Sequence, residues 1–193
     1  MSDFLCSSTG LSIAHEQILF LEPSCGDGRL LKALYDAGAR RLFGCEIDHD
    51  LCTAAMQHCP CAHVAHGDFF TSSRPTSALG SLTIAIGNPP FSQFSNGRHD
   101  CQPSLVLQFL KHVAYQWRAV VVGFILPLRC AKEEFTSSAL AVLNGATGTS
   151  SRLWRLARTF PLADTAFVFE FRDSKVVKQP SVFQIYTSLE ISE

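Results

Sequence analysis

The sequence is short of charge: only 17% of its 193 residues are Asp, Glu, Lys or Arg, and the formal net charge is −1. That balance excludes a broad electrostatic pull on polyanions, so any nucleic-acid contact needs basic residues grouped locally or supplied by a second protein. Long apolar runs are missing too. Ala119 to Leu128 is strand-sized and too short to cross a membrane. The first residues lack the basic start and long apolar run of a secretory signal. The eight cysteines are therefore expected as reduced thiols of an intracellular protein rather than as a disulfide framework. A standard zinc pattern is also lacking. His58, Cys59, Cys61, His63 and His66 have the composition of a ligand set, but Cys59-Pro60-Cys61 is too tight for the usual loop. That segment reads as a helix end leading into a strand.

What the chain does have is apolar bulk. Hydrophobic residues make up 47%, with 15 phenylalanines against 3 tyrosines and 2 tryptophans, which predicts a Phe-rich core in one domain. Residues 1–16 are weakly patterned and expected as a tail or short helix, residues 17–187 as the domain, and 188–193 as a solvated tail.

Strands and helices alternate along the domain. Gln17 to Leu21 is a compact apolar run ending at Glu22, followed by the glycine turn Pro23-Ser24-Cys25-Gly26-Asp27-Gly28 and a helix over Arg29 to Ala37. Arg41 to Cys45 repeats the strand, ending at Glu46 and Ile47, with a helix over His49 to Gln57. Ala62 to His66 is a third strand leading to Asp68 and Phe69, and Thr71 to Ser81 a polar linker. Leu82 to Ile86 delivers Asn88-Pro89-Pro90-Phe91, where two prolines forbid strand continuation. Ser92 to Pro103 is expected as loop, Leu105 to Trp117 as helix, Ala119 to Leu126 as the central strand and Lys132 to Leu143 as helix. Arg152, Arg155 and Arg158 recur at a helical spacing of three, and suggest a basic strip. Thr165 to Phe171 and Val182 to Tyr186 read as strands, with an antiparallel pair at the end. The pattern predicts a three-layer α/β domain, mostly parallel, with an antiparallel C-terminal strand.

In such a sheet the carboxyl ends of the strands share one edge, and ligands bind in the crevice there. Glu22, Glu46, Asp68 and Asn88 each fall just beyond a predicted strand, so they are expected to line one site.

With these motifs the chain resembles the Rossmann-like methyltransferases that use S-adenosylmethionine (SAM), and more narrowly those that methylate an exocyclic or side-chain amide nitrogen. Glu22-Pro23-Ser24-Cys25-Gly26-Asp27-Gly28 looks like the family's first motif, without the three-glycine pyrophosphate loop of nicotinamide enzymes. The resemblance implies that Glu22, Pro23, Gly26, Gly28 and Asn88 border the cofactor, and that Glu46 accepts the ribose hydroxyls beside Ile47. It also implies that Asp68 lies near the adenine amino group, with Phe69 packed on the ring. Asn88, Pro89, Pro90 and Phe91 match the catalytic motif of N6-adenine methyltransferases of DNA and RNA. A glutamine amide is planar and equally reluctant, so a protein glutamine N5-methyltransferase is the alternative, followed by an inactive relative kept as an interaction protein. Phe91, where the glutamine enzymes more often have tyrosine, and Ile125-Leu126-Pro127 tilt the reading to nucleic acid. Arg98, His99, Arg129 and Lys132 are candidate phosphate contacts, on a single-stranded or flipped base. The family's upstream phenylalanine-glycine motif has no match in residues 1–16. Either the chain begins inside a longer parent, or short loops and a small activating or substrate-recognition protein supply that role.

Overall fold

The structure is a computed structural model and describes residues 17–91, 93–95, 98–100, 103–145, 153–162, 168–170, 176–178 and 180–190. The first four strands are β1 (Ile18–Glu22), β2 (Arg41–Glu46), β3 (His63–His66) and β4 (Leu82–Gly87). β5 (Gln93–Ser95) and β6 (Arg98–Asp100) form a separate antiparallel hairpin inside the segment expected as loop. Beyond it come β7 (Ala119–Pro127), β8 (Arg155–Pro161), β9 (Val168–Glu170), β10 (Val176–Lys178) and β11 (Ser181–Thr187). The helices are α1 (Arg29–Asp36), α2 (His49–His58), α3 (Pro103–Tyr115) and α4 (Glu133–Gly145).

Seven strands make the main sheet, in the order β3-β2-β1-β4-β7-β11-β8. All are parallel except β11, which runs antiparallel to both its neighbours. The mostly parallel α/β sheet with a reversed C-terminal strand is thus as expected. Successive residues of β1 face opposite layers, as strand geometry requires. Leu19 and Leu21 join α3 and α4 through Phe109, Leu110, Val113, Phe135, Ala139 and Leu143, while Ile18 and Phe20 join α1 and α2 through Leu31, Leu34, Cys52 and Ala55.

Local chemistry sets the helix starts. Asp48 caps α2 by accepting from the amides of Asp50 and Leu51. Glu133 and Glu134 sit in the first turn of α4, where a carboxylate complements the helix dipole. Gly28 starts α1 at φ 81°, and a Cβ there would lie 2.9 Å from Cα of Ala55, so only glycine lets α2 come this close.

Four expectations change. Arg155 and Arg158 lie on a strand, β8, paired with β11, so there is no helical basic strip; Arg152 lies outside the described residues. Val168–Glu170 pairs with Val176–Lys178 rather than with the main sheet; residues 163–167 and 171 are outside the described set. The polar linker after β3 carries two short 3-10 turns, Phe69–Thr71 and Thr76–Ala78. Ser188, expected as tail, is buried and donates its amide to the Val120 carbonyl at 2.9 Å. Residues 1–16 and 191–193 lie outside the described residues, and among those described no helix is long and apolar enough to cross a membrane.

Candidate functional site

Because β1, β2, β3 and β4 are parallel, their carboxyl ends meet at one edge of the sheet. Glu22 ends β1, Glu46 ends β2 opposite His66 of β3, and Asn88 follows β4. Two contacts tie the ends together. Pro23 is buried against Gly87, where a Cβ would stand 3.2 Å from the proline Cδ, and Ser24 Oγ donates to the Asn88 carbonyl at 3.5 Å.

Glu46 organises the cleft floor. Its Oε2 accepts from the Gly26 amide at 2.7 Å and its Oε1 from the Asp48 amide at 2.9 Å, so one carboxylate holds both the glycine turn and the start of α2. Each carboxylate oxygen has a second lone pair for a hydroxyl donor. Asp68 is exposed and its Oδ1 accepts from the Phe70 amide at 2.9 Å. Ile47 leaves 68% of its surface exposed beside Glu46, an apolar platform at the rim.

Glu22 is buried, and its Oε2 has no hydrogen-bond partner. Burial pushes its carboxyl well above the ordinary 4.5; the Leu31 amide of α1 opposes this, and the nearby charges of Glu46 and Asp27 add to it. Among the described residues, Asn88 Oδ1 is likewise buried without a partner. Native structures rarely leave such acceptors unmet, at about 1–3 kcal/mol each. Two orphaned acceptors and two further acids, Glu46 and Asp68, at one sheet edge fit a ligand that brings cationic and N–H donors. SAM, with its ammonium and sulfonium, is such a ligand, and Glu22, Gly26, Gly28, Glu46, Ile47 and Asp68 are the residues that would hold it.

Phe69 is a correction. Its ring is buried between Phe109, stacked at 5.5 Å and 4°, and Trp117 at 6.1 Å, with the His112 edge at 4.7 Å. The ring expected to face the cofactor is thus packed in the core, 4% exposed. Pro89 is buried, Pro90 exposed and Phe91 half-buried against the core. Arg129 and Lys132 are exposed at the 3-10 turn Leu128–Ala131, on the same edge just beyond β7. Arg98 and His99 belong to the β5–β6 hairpin, but their side chains lie outside what the structure describes.

The cysteine-histidine segment is dispersed. His58 Nδ1 meets the Asp27 carbonyl at 2.7 Å, His66 Nε2 meets the Ile47 carbonyl at 3.2 Å, and His63 packs on Phe43. The Cys59 and Cys61 sulfurs lie 3.5 Å apart, with the Cys59 thiol pushed up to about 11 mainly by burial. No three His, Cys, Asp or Glu side chains among the described residues are grouped to hold a metal. Sequence reasoning missed the support that the Asp48 amide gives Glu46, since a backbone donor leaves no mark on composition.

Comparison with protein-family models gives no match, nor does comparison with curated proteins. Solved structures do share the fold. A Listeria monocytogenes protein assigned to the class I S-adenosylmethionine-dependent methyltransferases superposes with TM-score 0.61 at 13% identity, covering 92% of this chain and 55% of that one. A Pyrococcus horikoshii protein assigned as an RNA methyltransferase gives 0.58 at 15%, covering 89% and 75%. The 23S rRNA methyltransferase ErmE gives 0.55 at 17%, covering 91% and 63%. The chain thus spans less than two thirds of the Listeria protein and of ErmE. The fold is that of the SAM-dependent methyltransferases.

Proposed function

We propose that the chain transfers a methyl group from SAM to the exocyclic N6 amine of adenine in RNA or DNA. The observation that carries this reading is Asn88 Oδ1, a buried acceptor without a partner, set at the carboxyl end of β4 and followed by Pro89-Pro90-Phe91.

SAM, when bound, supplies a methyl group already activated on a sulfonium. What remains for the protein is to hold a poor nucleophile, because an adenine amino nitrogen shares its lone pair with the ring. Asn88 Oδ1 and the Pro89 carbonyl accept its two hydrogens, fix its direction and favour positive charge growing on it. No side chain has to take the proton first. Phe91 offers a ring face to the base, a contact worth roughly 1–3 kcal/mol in single-strand binders. Arg129 and Lys132 supply phosphate contacts at the same rim. The RNA methyltransferases among the structural neighbours support a nucleic-acid substrate.

The test is transfer of labelled methyl to total RNA, DNA and protein, with and without a cell extract that provides any small partner protein, followed by nucleoside and amino-acid analysis. N6-methyladenosine or its deoxy form is expected, and Asn88→Ala should lower the rate by about 10²–10³-fold. Label found only in glutamine would overturn the adenine assignment.

A further inference from the structure

The opposite edge of the sheet carries a second concentration of charge. Arg41 opens β2, Arg118 precedes β7, and Arg74 sits in the linker before β4. Arg41 and Arg74 converge on one residue, Ser81: Arg41 donates to its Oγ and Arg74 to its carbonyl. Arg41 also donates to the Ser77 carbonyl at 2.7 Å, and the Arg74 amide reaches the Gln116 carbonyl, two residues before Arg118, at 3.3 Å. Among the described residues the Arg41 and Arg74 guanidinium groups meet carbonyls and a hydroxyl rather than carboxylates, Arg74 donating to the Ala78 carbonyl as well. Among the described residues no ion pair includes Arg41, Arg74 or Arg118; Asp36, at the end of α1, is taken by Lys32, and Glu190 pairs with none of the three. The guanidinium groups of Arg118 and Arg41 add to burial in lowering the Arg74 pKa.

Arg118 shows a second peculiarity. It is exposed, and at φ 51° it is the one positive-φ residue other than glycine among those described. An arginine is a poor choice for that backbone, and glycine a good one. An exposed arginine on a backbone that favours glycine is consistent with a use for its side chain.

We propose that Arg41, Arg74 and Arg118 form a phosphodiester-binding site on the amino edge, which holds the substrate nucleic acid at a distance from its target base. This rests on the nucleic-acid reading above. Ser81 and Asn88 bracket β4, so the two sites are separated by roughly 23 Å at ~3.3 Å per residue. A substrate engaging both must reach around the sheet and so spans at least about 7 nucleotides of a strand at ~3.4 Å each.

The test compares wild-type protein, Arg118→Gly and Arg118→Lys by fluorescence anisotropy over a salt series. The probes are a labelled RNA hairpin longer than that span and an adenine-containing trinucleotide. For the hairpin, Arg118→Gly should weaken binding and lower the slope of log affinity against log salt by about one contact. Arg118→Lys should retain most of both, and the trinucleotide should not distinguish the three proteins. The glycine variant should melt no lower than wild type and bind SAM equally in calorimetry, which sets lost folding apart from lost contact. An unchanged hairpin affinity and slope in Arg118→Gly, with RNA still methylated, overturns the amino-edge site and leaves the activity standing. Label found only in protein glutamine takes down both.

Discussion

Glu22 is buried at the end of β1, and its proton is a handle on the donor site. Its folded pKa lies well above 4.5, so between those two values the native state keeps a proton that the unfolded chain releases. The stability this contributes is complete below 4.5 and is lost as pH rises through the folded value. Glu22→Gln should therefore flatten that slope and give a melting temperature above wild type on the alkaline side of the window, read by calorimetry across pH. A cation bound at Oε2 draws the pKa back down. Between 4.5 and the folded value, SAM binding should then release a proton in wild type but not in the glutamine variant, measured as a heat that depends on the ionisation enthalpy of the buffer. Gly44 offers a steric counterpart. A Cβ there would stand 2.7 Å from Leu31 Cδ1 and 2.9 Å from Cys25 Sγ, so Gly44→Ala should cost about 1–3 kcal/mol in urea unfolding. Single residues were the most legible part of the sequence: Glu22, Glu46 and Asn88 stand at strand ends where a buried apolar run stops, while Asp68 follows the short, half-exposed β3 and is marked by its place beyond Gly67. Phe69 misled because the same aromatic suits a ligand platform and a core, and only packing against Phe109 and Trp117 decides between them.

The unexpected element is the linker between β3 and β4. It carries 3-10 turns, and the end of α3 clasps it. His112 Nε2 meets the Ser72 carbonyl at 2.8 Å, and Trp117 Nε1 donates to Ser72 Oγ at 3.3 Å. Trp117 is fully buried between this linker and Phe43. Trp117→Ala should cost about 3–5 kcal/mol in equilibrium unfolding and loosen the linker first, visible as faster amide exchange at Thr71 and Ser72. Apolar spacing marked α3, whose buried face repeats every three to four residues through Val106, Phe109, Leu110 and Val113. Spacing failed for Arg155 and Arg158. A strand at the sheet edge need not alternate, because much of its surface meets water, and its identity comes from pairing with β11 far along the chain.

Across the whole molecule, a net charge of −1 conceals local groups of like charge, although Arg129 and Lys132 share the carboxyl edge with the acids. Glu22, Asp27, Glu46 and Asp68 gather at the carboxyl edge near β1 to β3, while Arg41, Arg74 and Arg118 gather at the amino edge. The sum in the sequence shows neither pole, since the residues of each are brought together only by parallel pairing. Raising salt should weaken binding of a long RNA steeply through lost phosphate contacts, yet leave SAM binding little changed, because buried charges are poorly screened. Parallel titrations at low and high salt check this.

The reversed strand β11 sets an order of events during synthesis. It lies between β7 and β8 but is made after both, so β8 leaves the ribosome before the strand that joins it to the sheet exists. Until then Tyr186 and Val182, both buried in the finished core, are still to come, and β7 presents an open edge. An incomplete chain is thus exposed to unwanted strand pairing at that edge. Closure of the sheet waits for β11.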